Sequence, residues 1–366
     1  MKEEGVMNKA RQATKQEAVE ILARVIRASG WLHMDAYKIL QEEFGLQGVM
    51  CVRQWLRRWG IWRGNQTRKG HLALGLDINM KNMLLYWDSA AAIPEANSDE
   101  WDMTQWRPCE VRTITQDFPG ACEQADLWRE HDFWAGGHIL CDEFHVKYAQ
   151  GYHPQAICAI PECLMKNDKI CYHHFLLPDD YIQGKELELP LYEGEDPAAD
   201  WAQSPPDKAI NASLIRKSRI TAGRIYFLKE AVYEMFPEEA DRVYGKILSR
   251  WFKDRGNDLI SYLSEKGIEA TPENVIENFD QPLVYLYEPD LVTEDDVTTV
   301  TLRKCPFAET FQWLEKEDSS AIYRYYCKNC CNEIMQTVHS DWSAELTDCR
   351  MKGDGQCCIK IKRRGE

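Results

Sequence analysis

Apolar residues recur at three- and four-residue intervals in several stretches of the chain, which is the pattern of an amphipathic α-helix. Polar residues occupy the positions between them, so each stretch presents one face to a core. The pattern predicts three helices in each half of the chain: Ala18–Arg27, Met34–Phe44 and Val52–Trp59, then Gly223–Tyr233, Glu238–Phe252 and Asp258–Lys266.

Shorter apolar runs predict strands. Asn82–Asp88 and Leu283–Tyr287 are dense aromatic and aliphatic runs bounded by polar residues, and Val297–Lys304 alternates Val, Thr and Leu. Near the end of the chain, strands over Ser343–Cys349 and Cys357–Lys362 flank a glycine-containing turn and predict a hairpin. The expected fold class is α+β, with helices packed on an antiparallel sheet.

One hairpin sequence occurs twice. Cys163–Cys171 reads Cys-Leu-Met-Lys-Asn-Asp-Lys-Ile-Cys and Cys349–Cys357 reads Cys-Arg-Met-Lys-Gly-Asp-Gly-Gln-Cys, a shift of 186 positions (349 minus 163). Such self-similarity predicts two tandem, divergent copies of one α+β module with pseudo-two-fold symmetry. The same shift aligns two further pairs: Cys141 with Cys327, and His153 with His339.

The expected domain boundaries follow from the repeat and from the prolines between its copies. Residues 1–16 are polar and predict a flexible lead-in, and residues 17–178 form the first copy. Residues 179–211 are acidic and contain several prolines, which prevent a continuous helix and predict a solvated linker. Residues 212–366 form the second copy.

Charge and composition restrict the classes of partner. The net charge of −15 comes from 59 acidic and 44 basic residues and repels nucleic-acid phosphates. No run of eighteen apolar residues predicts a membrane span, and the first residues lack the apolar core of a signal peptide. We therefore expect a cytoplasmic protein with reduced cysteines and a small-molecule substrate, without nucleic-acid or membrane partners. Association into a homodimer stays open.

The first copy carries a cysteine and a histidine at helical spacing. Cys141 and His145 are four residues apart and share a helix face. A thiol beside an imidazole is the minimal arrangement of an activated nucleophile, because the base stabilises the thiolate. Asp142 or Glu143 would orient the imidazole, and His153 would shuttle the proton. Half of a zinc or iron site, and a buried face of small thiols, are the competing interpretations.

Cysteines replace that pair in the second copy, where Cys327 and Cys331 share a helix face. The eight-residue spacing of the hairpin cysteines differs from the Cys-x-x-Cys knuckle of zinc sites, so buried packing thiols remain an alternative. The candidate cofactors are zinc and iron. Their candidate ligands are Cys327, Cys331, Cys349, Cys357, Cys163 and Cys171.

Two further patterns concern the hairpins. Asp168 and Asp354 lie in the turns, where an Asp side chain commonly hydrogen-bonds its own backbone two residues further on. His173 and His174 follow Cys171 on the outgoing strand. Since neighbouring side chains on a strand point to opposite faces, at most one of these histidines faces a site.

The assembled pattern resembles the L-2-amino-thiazoline-4-carboxylic acid hydrolase family, and the closing hairpin is similar to that of vinyl-reductase-type (4VR) small-ligand-binding domains. In the first copy, only Cys109 or Cys122 can stand at the position of the Cys-Pro cysteine. The residues that carry the resemblance are Cys305-Pro306-Phe307-Ala308, Tyr326-Cys327, His339 and the hairpin Cys349–Cys357 in the second copy, with Leu140-Cys141, His145 and Tyr148 in the first.

The resemblance implies a hydrolase that opens a C–N bond in a small cyclic amidine or heterocycle. In this hypothesis Cys141 attacks the electrophilic carbon, His145 assists, and Tyr148 and Trp134 contact the substrate. One alternative is a non-enzymatic small-molecule or metal sensor built from the duplicated domain. Another is a metal-dependent hydrolase that uses Cys and His ligands to activate water.

Overall fold

The computed structural model describes residues 13–85, 106–117, 122–178, 206–281, 287, 289–314 and 320–364. We call residues 13–178 the first half and residues 206–364 the second half. The first half contains α1 (Lys15–Phe44), α2 (Leu46–Ala73), α3 (Met80–Leu85), β1 (Glu110–Gln116), α4 (Glu123–Glu130), α5 (Trp134–Leu140), a π-helical turn (Cys141–His145), α6 (Val146–Tyr152), β2 (Ile157–Glu162), a 3₁₀ turn (Leu164–Lys166) and β3 (Ile170–Leu176).

The second half has the same kinds of element in a similar order. It contains α7 (Pro206–Met235), α8 (Ala240–Glu265), α9 (Pro272–Glu277), β4 (Pro289–Glu294), β5 (Val297–Leu302), α10 (Pro306–Leu314), α11 (Ser320–Ile322), a π-helical turn (Tyr323–Cys327), α12 (Cys330–Val338), β6 (Trp342–Asp348), a 3₁₀ turn (Arg350–Lys352) and β7 (Cys357–Arg363). None of the described helices is both long enough and apolar enough to cross a membrane.

Long helices replace the shorter predicted ones. The helices predicted over Ala18–Arg27 and Met34–Phe44 form a single helix, α1, because the chain stays helical through Gly30. The small residue there lets α4 approach, and the indole of Trp128 donates to the Gly30 carbonyl at 3.1 Å. Thr14 and Glu17 form a capping box at the start of α1, and Gly45 ends it with a φ of 56°. In the second half, α8 likewise merges two predicted helices.

Two antiparallel sheets complete the α+β fold. Strand order is β1-β3-β2 in the first sheet and β4-β5-β7-β6 in the second. The strand predicted over Val297–Lys304 is confirmed as β5. The strand predicted over Asn82–Asp88 is wrong in its described part, which belongs to α3, because the Asn79 side chain accepts from the Asn82 amide at 2.8 Å and caps a helix. Residues 86–88 and 283–286 lie outside the described residues, and Tyr287 lies in a bend.

Parts of the predicted lead-in and linker are helical. Helix α1 begins at Lys15, and residues 1–12 lie outside the described residues. Helix α7 begins at Pro206, so residues 206–211 are helical, while residues 179–205 lie outside the described residues. Proline suits the first turn of a helix, where its missing N–H has no intrahelical partner.

Indole hydrogen bonds join the two halves. Trp55 and Trp59 on α2 donate to the carbonyl oxygens of Arg224 (2.8 Å) and Ile220 (3.3 Å) on α7. Trp251 on α8 donates to the carbonyl of Ala28 on α1 at 2.7 Å. The apolar core is continuous across both halves. Descent of the halves from one duplicated module stays a prediction.

Candidate functional site

Three cysteine thiols of the first half are in contact where the π-helical turn meets the β2–β3 hairpin. Cys141 begins the π-helical turn, Cys163 precedes the 3₁₀ turn and Cys171 lies on β3. The thiols of Cys141 and Cys171 both hydrogen-bond to the Cys163 sulfur and thereby lower its pKa. The same hydrogen bonds, together with burial, raise the pKa of Cys141 and of Cys171. A negative charge in this cluster is therefore stabilised on Cys163.

The hairpin turn fixes the position of Cys163. Its amide donates to Asp168 Oδ2 at 2.7 Å, and the next amide, that of Leu164, donates to Cys171 Sγ at 3.3 Å. Asn167 adopts the left-handed conformation that the turn requires, with a φ of 67°. The turn aspartate does accept from backbone, but the donor is the amide five residues before it rather than the predicted one two residues after it.

The second half repeats this arrangement. The amide of Cys349 donates to Asp354 Oδ2 at 2.7 Å, and the amide of Arg350 donates to Cys357 Sγ at 3.4 Å. Hydrogen bonds from the thiols of Cys327 and Cys357 lower the pKa of Cys349. Gly353 replaces the left-handed asparagine of the first half.

The cysteines predicted as metal ligands divide between these two thiol clusters. Cys163 and Cys171 belong to the first cluster and Cys327, Cys349 and Cys357 to the second. Burial raises the pKa of the sixth candidate, Cys331, to a value above that of an ordinary thiol. Across the part of the chain that the structure describes, no group of three or more His, Cys, Asp or Glu side chains is arranged to hold a metal ion.

A cavity of about 230 Å³ lies beside the first thiol cluster. The aromatic rings of Trp59, Trp128 and Phe144 form much of its apolar wall. Its volume is close to the lower end of the range for ligand pockets, which suits a molecule of few heavy atoms. The side chains with reactive or charged groups that line it are Cys122, Cys141, Cys171, His145, His173, Arg63, Lys217 and Arg224.

Two neutral histidines face each other in this cavity. The ring centroids of His145 and His173 are 4.6 Å apart. Burial, followed by the neighbouring His173, lowers the pKa of His145 to about 3, and burial lowers that of His173 to about 4. His145 Nδ1 lies 3.2 Å from the Cys141 carbonyl oxygen and therefore carries a hydrogen as donor, which leaves Nε2 as the proton acceptor.

His173 and His174 behave as strand alternation predicts. His173 lines the cavity, whereas His174 bonds Glu110 at 2.9 Å on the other face of the sheet. Cys141 and His145, which the helical spacing places on one face, both line the cavity.

The carboxylates predicted to orient His145 make their hydrogen bonds to other groups. Asp142 lies 2.9 Å from His138 Nδ1, and Glu143 accepts from Arg57 at 3.0 Å. Burial opposes ionisation of Glu143, but hydrogen bonds from two arginines outweigh it and lower the carboxyl pKa. Neither carboxylate is among the described residues that line the cavity, so their contacts support a structural role.

The remaining predicted site residues also lie away from the cavity. His153 is buried at the end of α6, and its Nδ1 accepts from the Gln155 amide at 3.2 Å. Tyr148 is buried between α2 and α6 and donates to Thr67 Oγ1 at 3.0 Å. Trp134 is 38% exposed at the start of α5. None of these three is among the described residues that line the cavity.

Two cationic side chains of the second half line the cavity but were not predicted from the sequence. Lys217 and Arg224 reach the first-half cavity because α7 packs against α2. Cationic side chains on an amphipathic helix ordinarily indicate a solvated face, so no local pattern signals their position. Cys122 had a weak signal as a candidate for the Cys-Pro position, and it lines the cavity at the start of α4.

Comparison with known proteins identifies no relative of the chain. None of the protein-family models that were searched matches the chain, and no curated protein or solved structure matches it significantly.

Proposed function

We propose that the first-half cavity is the active site of a hydrolase that acts on a C–N bond of a small cyclic amidine or heterocycle. The resemblance of the hairpins to the L-2-amino-thiazoline-4-carboxylic acid hydrolase family suggests the reaction class. The observation that carries the proposal is that Cys141 and His145 line the same small cavity, with the imidazole neutral. A thiol nucleophile and a neutral base beside an apolar pocket suit covalent hydrolysis of a small ligand.

The thiol cluster sets the protonation state of Cys141 before the reaction. Cys141 is protonated in the free protein, since its hydrogen bond to Cys163 and its burial raise its pKa. Attack on the amidine carbon therefore requires Cys141 to lose this proton as the S–C bond forms, and in the proposed reaction His145 Nε2 accepts it. The protonated imidazole then returns the proton to the departing nitrogen, and water hydrolyses the thiol adduct to regenerate Cys141.

Replacement of the nucleophile tests this proposal. Cys141→Ala should lower kcat/KM by roughly 10³-fold or more, because covalent catalysis is lost while binding contacts remain. The assay is ring opening of a panel of cyclic amidines, followed by chromatography of the products.

Cys158→Ala is the matched control, because Cys158 is a buried thiol on β2 whose pKa is raised by burial and which is not among the described residues lining the cavity. Both variants should keep the thermal midpoint of unfolding within a few degrees of each other. Wild-type turnover in Cys141→Ala would refute the nucleophile assignment.

Binding without turnover is the second candidate function. The raised pKa of Cys141 keeps this thiol protonated at neutral pH and makes it a weak nucleophile in the free protein. A small-molecule sensor would bind ligands in the same cavity, yield no ring-opened product and leave Cys141 unmodified. Mass spectrometry of the protein after incubation with the amidine panel separates the two, since a covalent adduct on Cys141 forms only in the hydrolase.

The metal-dependent alternative is tested by elemental analysis of the purified protein. About one bound zinc or iron ion per chain would transfer the cysteines to ligand roles and would make metal-bound water the nucleophile. A chelator should then destabilise the protein.

A further inference from the structure

The cavity is cationic, although the protein as a whole is strongly acidic. The chain carries a net charge of −15. Yet Arg63, Lys217 and Arg224 all line the cavity, and the described lining residues include no Asp or Glu. Positive charge enclosed by low-dielectric walls attracts anions and repels cations.

Arg224 is the most unusual of the three cations. It is 1% exposed, and its Nε and Nη2 atoms have no hydrogen-bond partner among the described residues. Burial, and then the charge of Arg63, lowers its pKa to about 9, so the guanidinium remains charged at neutral pH. A buried charge with open donors is costly unless a partner satisfies it.

Aromatic residues hold this guanidinium in place without satisfying its donors. Its central carbon lies 4.9 Å from the ring centroid of Trp59 and 5.3 Å from that of Trp55. The backbone carbonyl of Arg224 is fixed by the Trp55 indole. Contact with a ring face partly compensates the charge but leaves the N–H groups in the guanidinium plane available.

A second buried arginine shows how the same chain satisfies a structural guanidinium. Arg255 on α8 is 3% exposed and also lies over a tryptophan, Trp251, at 4.6 Å. Its Nε and Nη2 donate to the two carboxylate oxygens of Asp280 at 2.7 and 2.6 Å. The atoms that are bidentately paired in Arg255 are the same atoms that are open in Arg224.

We propose that Arg224 is the receptor for the carboxylate of a small ligand, and that the second half thereby completes the first-half site. The edge formed by Nε and Nη2 matches the two oxygens of a planar carboxylate. This inference deepens the proposed function, on which it rests for the assignment of the cavity as the ligand site. The carboxylate would then lie beside Trp59, in a cavity that Cys141 and His145 also line.

The test compares acids with their uncharged amides. Full-length protein is titrated calorimetrically with acetate, pyrrole-2-carboxylate and pyridine-3-carboxylate, with the matching primary amides, and with inorganic phosphate at constant ionic strength. At least one acid should bind at least tenfold more tightly than its amide, and Arg224→Met should abolish that preference. Acid binding unchanged in Arg224→Met, a preference for phosphate alone, or binding of no acid would each overturn the proposal.

The stability of the ligand-free variants distinguishes a ligand receptor from a structural residue. Arg224→Met should raise the thermal midpoint, because it removes an unpaired buried charge and fills its space with a flexible apolar chain. Arg255→Met should lower the midpoint, because it leaves Asp280 without its partner. Arg224→Lys keeps the charge without the bidentate edge and should retain only weak acid preference. A large fall in the midpoint of Arg224→Met would indicate a structural role and would contradict the proposal.

The Cys141→Ala variant separates this inference from the proposed hydrolysis. Carboxylates should bind Cys141→Ala as tightly as wild type, because the thiol is not their receptor. Acid-selective binding in a protein that hydrolyses none of the amidines would sustain the inference and refute the hydrolase. Hydrolysis of uncharged amidines without any preference for acids would support the hydrolase and refute the assignment of Arg224 as a carboxylate receptor.

Discussion

Asp35 and Asp254 form a carboxyl pair between α1 and α8. Both side chains are buried, and the Asp35 carboxyl is in hydrogen-bond contact with that of Asp254. Burial, and then the neighbouring carboxylate, raises the pKa of Asp35 to about 8, while Arg250 and Lys38 act in the opposite direction. A hydrogen bond between two carboxyls requires a proton on one of them, so the folded protein retains a proton that the unfolded chain releases near pH 4.

This proton makes stability depend on pH. Between about pH 4 and pH 8 the native state binds more protons than the unfolded state, so the free energy of unfolding falls as pH rises through this window. In wild type the free energy of unfolding should fall by an amount on the order of 1–3 kcal/mol between pH 5 and pH 9, measured by urea denaturation. This fall should be absent in Asp35→Asn. Asp117→Asn, which removes a carboxylate from an exposed ion pair with Arg129, is the control variant. Equal slopes in wild type and Asp35→Asn would refute the shared proton.

At the scale of helices and strands, the sequence predicts where apolar faces lie better than where elements end. The periodicity around Ala18 and Met34 is correct, but Gly30 and its small neighbours interrupt it where α4 packs against α1. A local pattern cannot distinguish such a packing contact from a helix boundary. Strand β1 (Glu110–Gln116) escaped prediction because it is largely polar, and only its pairing with β3 makes it a strand.

The candidate site shows the same division between local and distant signals. Cys141 and His145 could be predicted because they are four residues apart on a helix, and strand alternation predicts that only one of His173 and His174 faces the cavity. Arg224 could not, because its place in the cavity depends on how α7 packs against α2. Asp142 and Glu143 hydrogen-bond to His138 and to arginines, because adjacency in sequence does not fix which of the surrounding cations a carboxylate meets.

The contact between α2 and α6 depends on two glycines. A Cβ added at Gly64 would lie 2.1 Å from the Tyr148 carbonyl oxygen, and one added at Gly151 would lie 2.2 Å from that of Ile61. Because the clashing atoms are backbone, a rotamer change cannot relieve them. The two helices must therefore separate when either glycine gains a side chain.

Gly64→Ala should accordingly lower the free energy of unfolding by about 1–3 kcal/mol, as overpacking of a close contact does. Chemical denaturation followed by tryptophan fluorescence gives this value. Gly355→Ala is the control, because an added Cβ there meets nothing within 4 Å and its φ is ordinary. Similar stabilities for the two variants would show that α2 and α6 can separate without loss.

For the whole molecule, the interface between the halves determines how the protein unfolds. The indole of Trp251, a fully buried residue on α8, donates to the Ala28 carbonyl on α1, and the apolar core runs through both halves. Arg27 extends this interface with an ion pair to Asp258 at 3.1 Å. Neither half can lose its structure without exposing apolar surface of the other, so the two should unfold together.

Scanning calorimetry should therefore show one transition whose calorimetric and van 't Hoff enthalpies agree. Trp251→Phe removes the indole hydrogen bond to the Ala28 carbonyl and reduces the volume that fills the buried interface, which should destabilise the protein by roughly 1–3 kcal/mol. Because the halves are coupled, this change should move the single transition to lower temperature without splitting it. Two transitions, with only the one of the second half responding to Trp251→Phe, would mean that the halves are independent. Because residues of both halves line the cavity, a carboxylate held by Arg224 should raise the midpoint of this single transition.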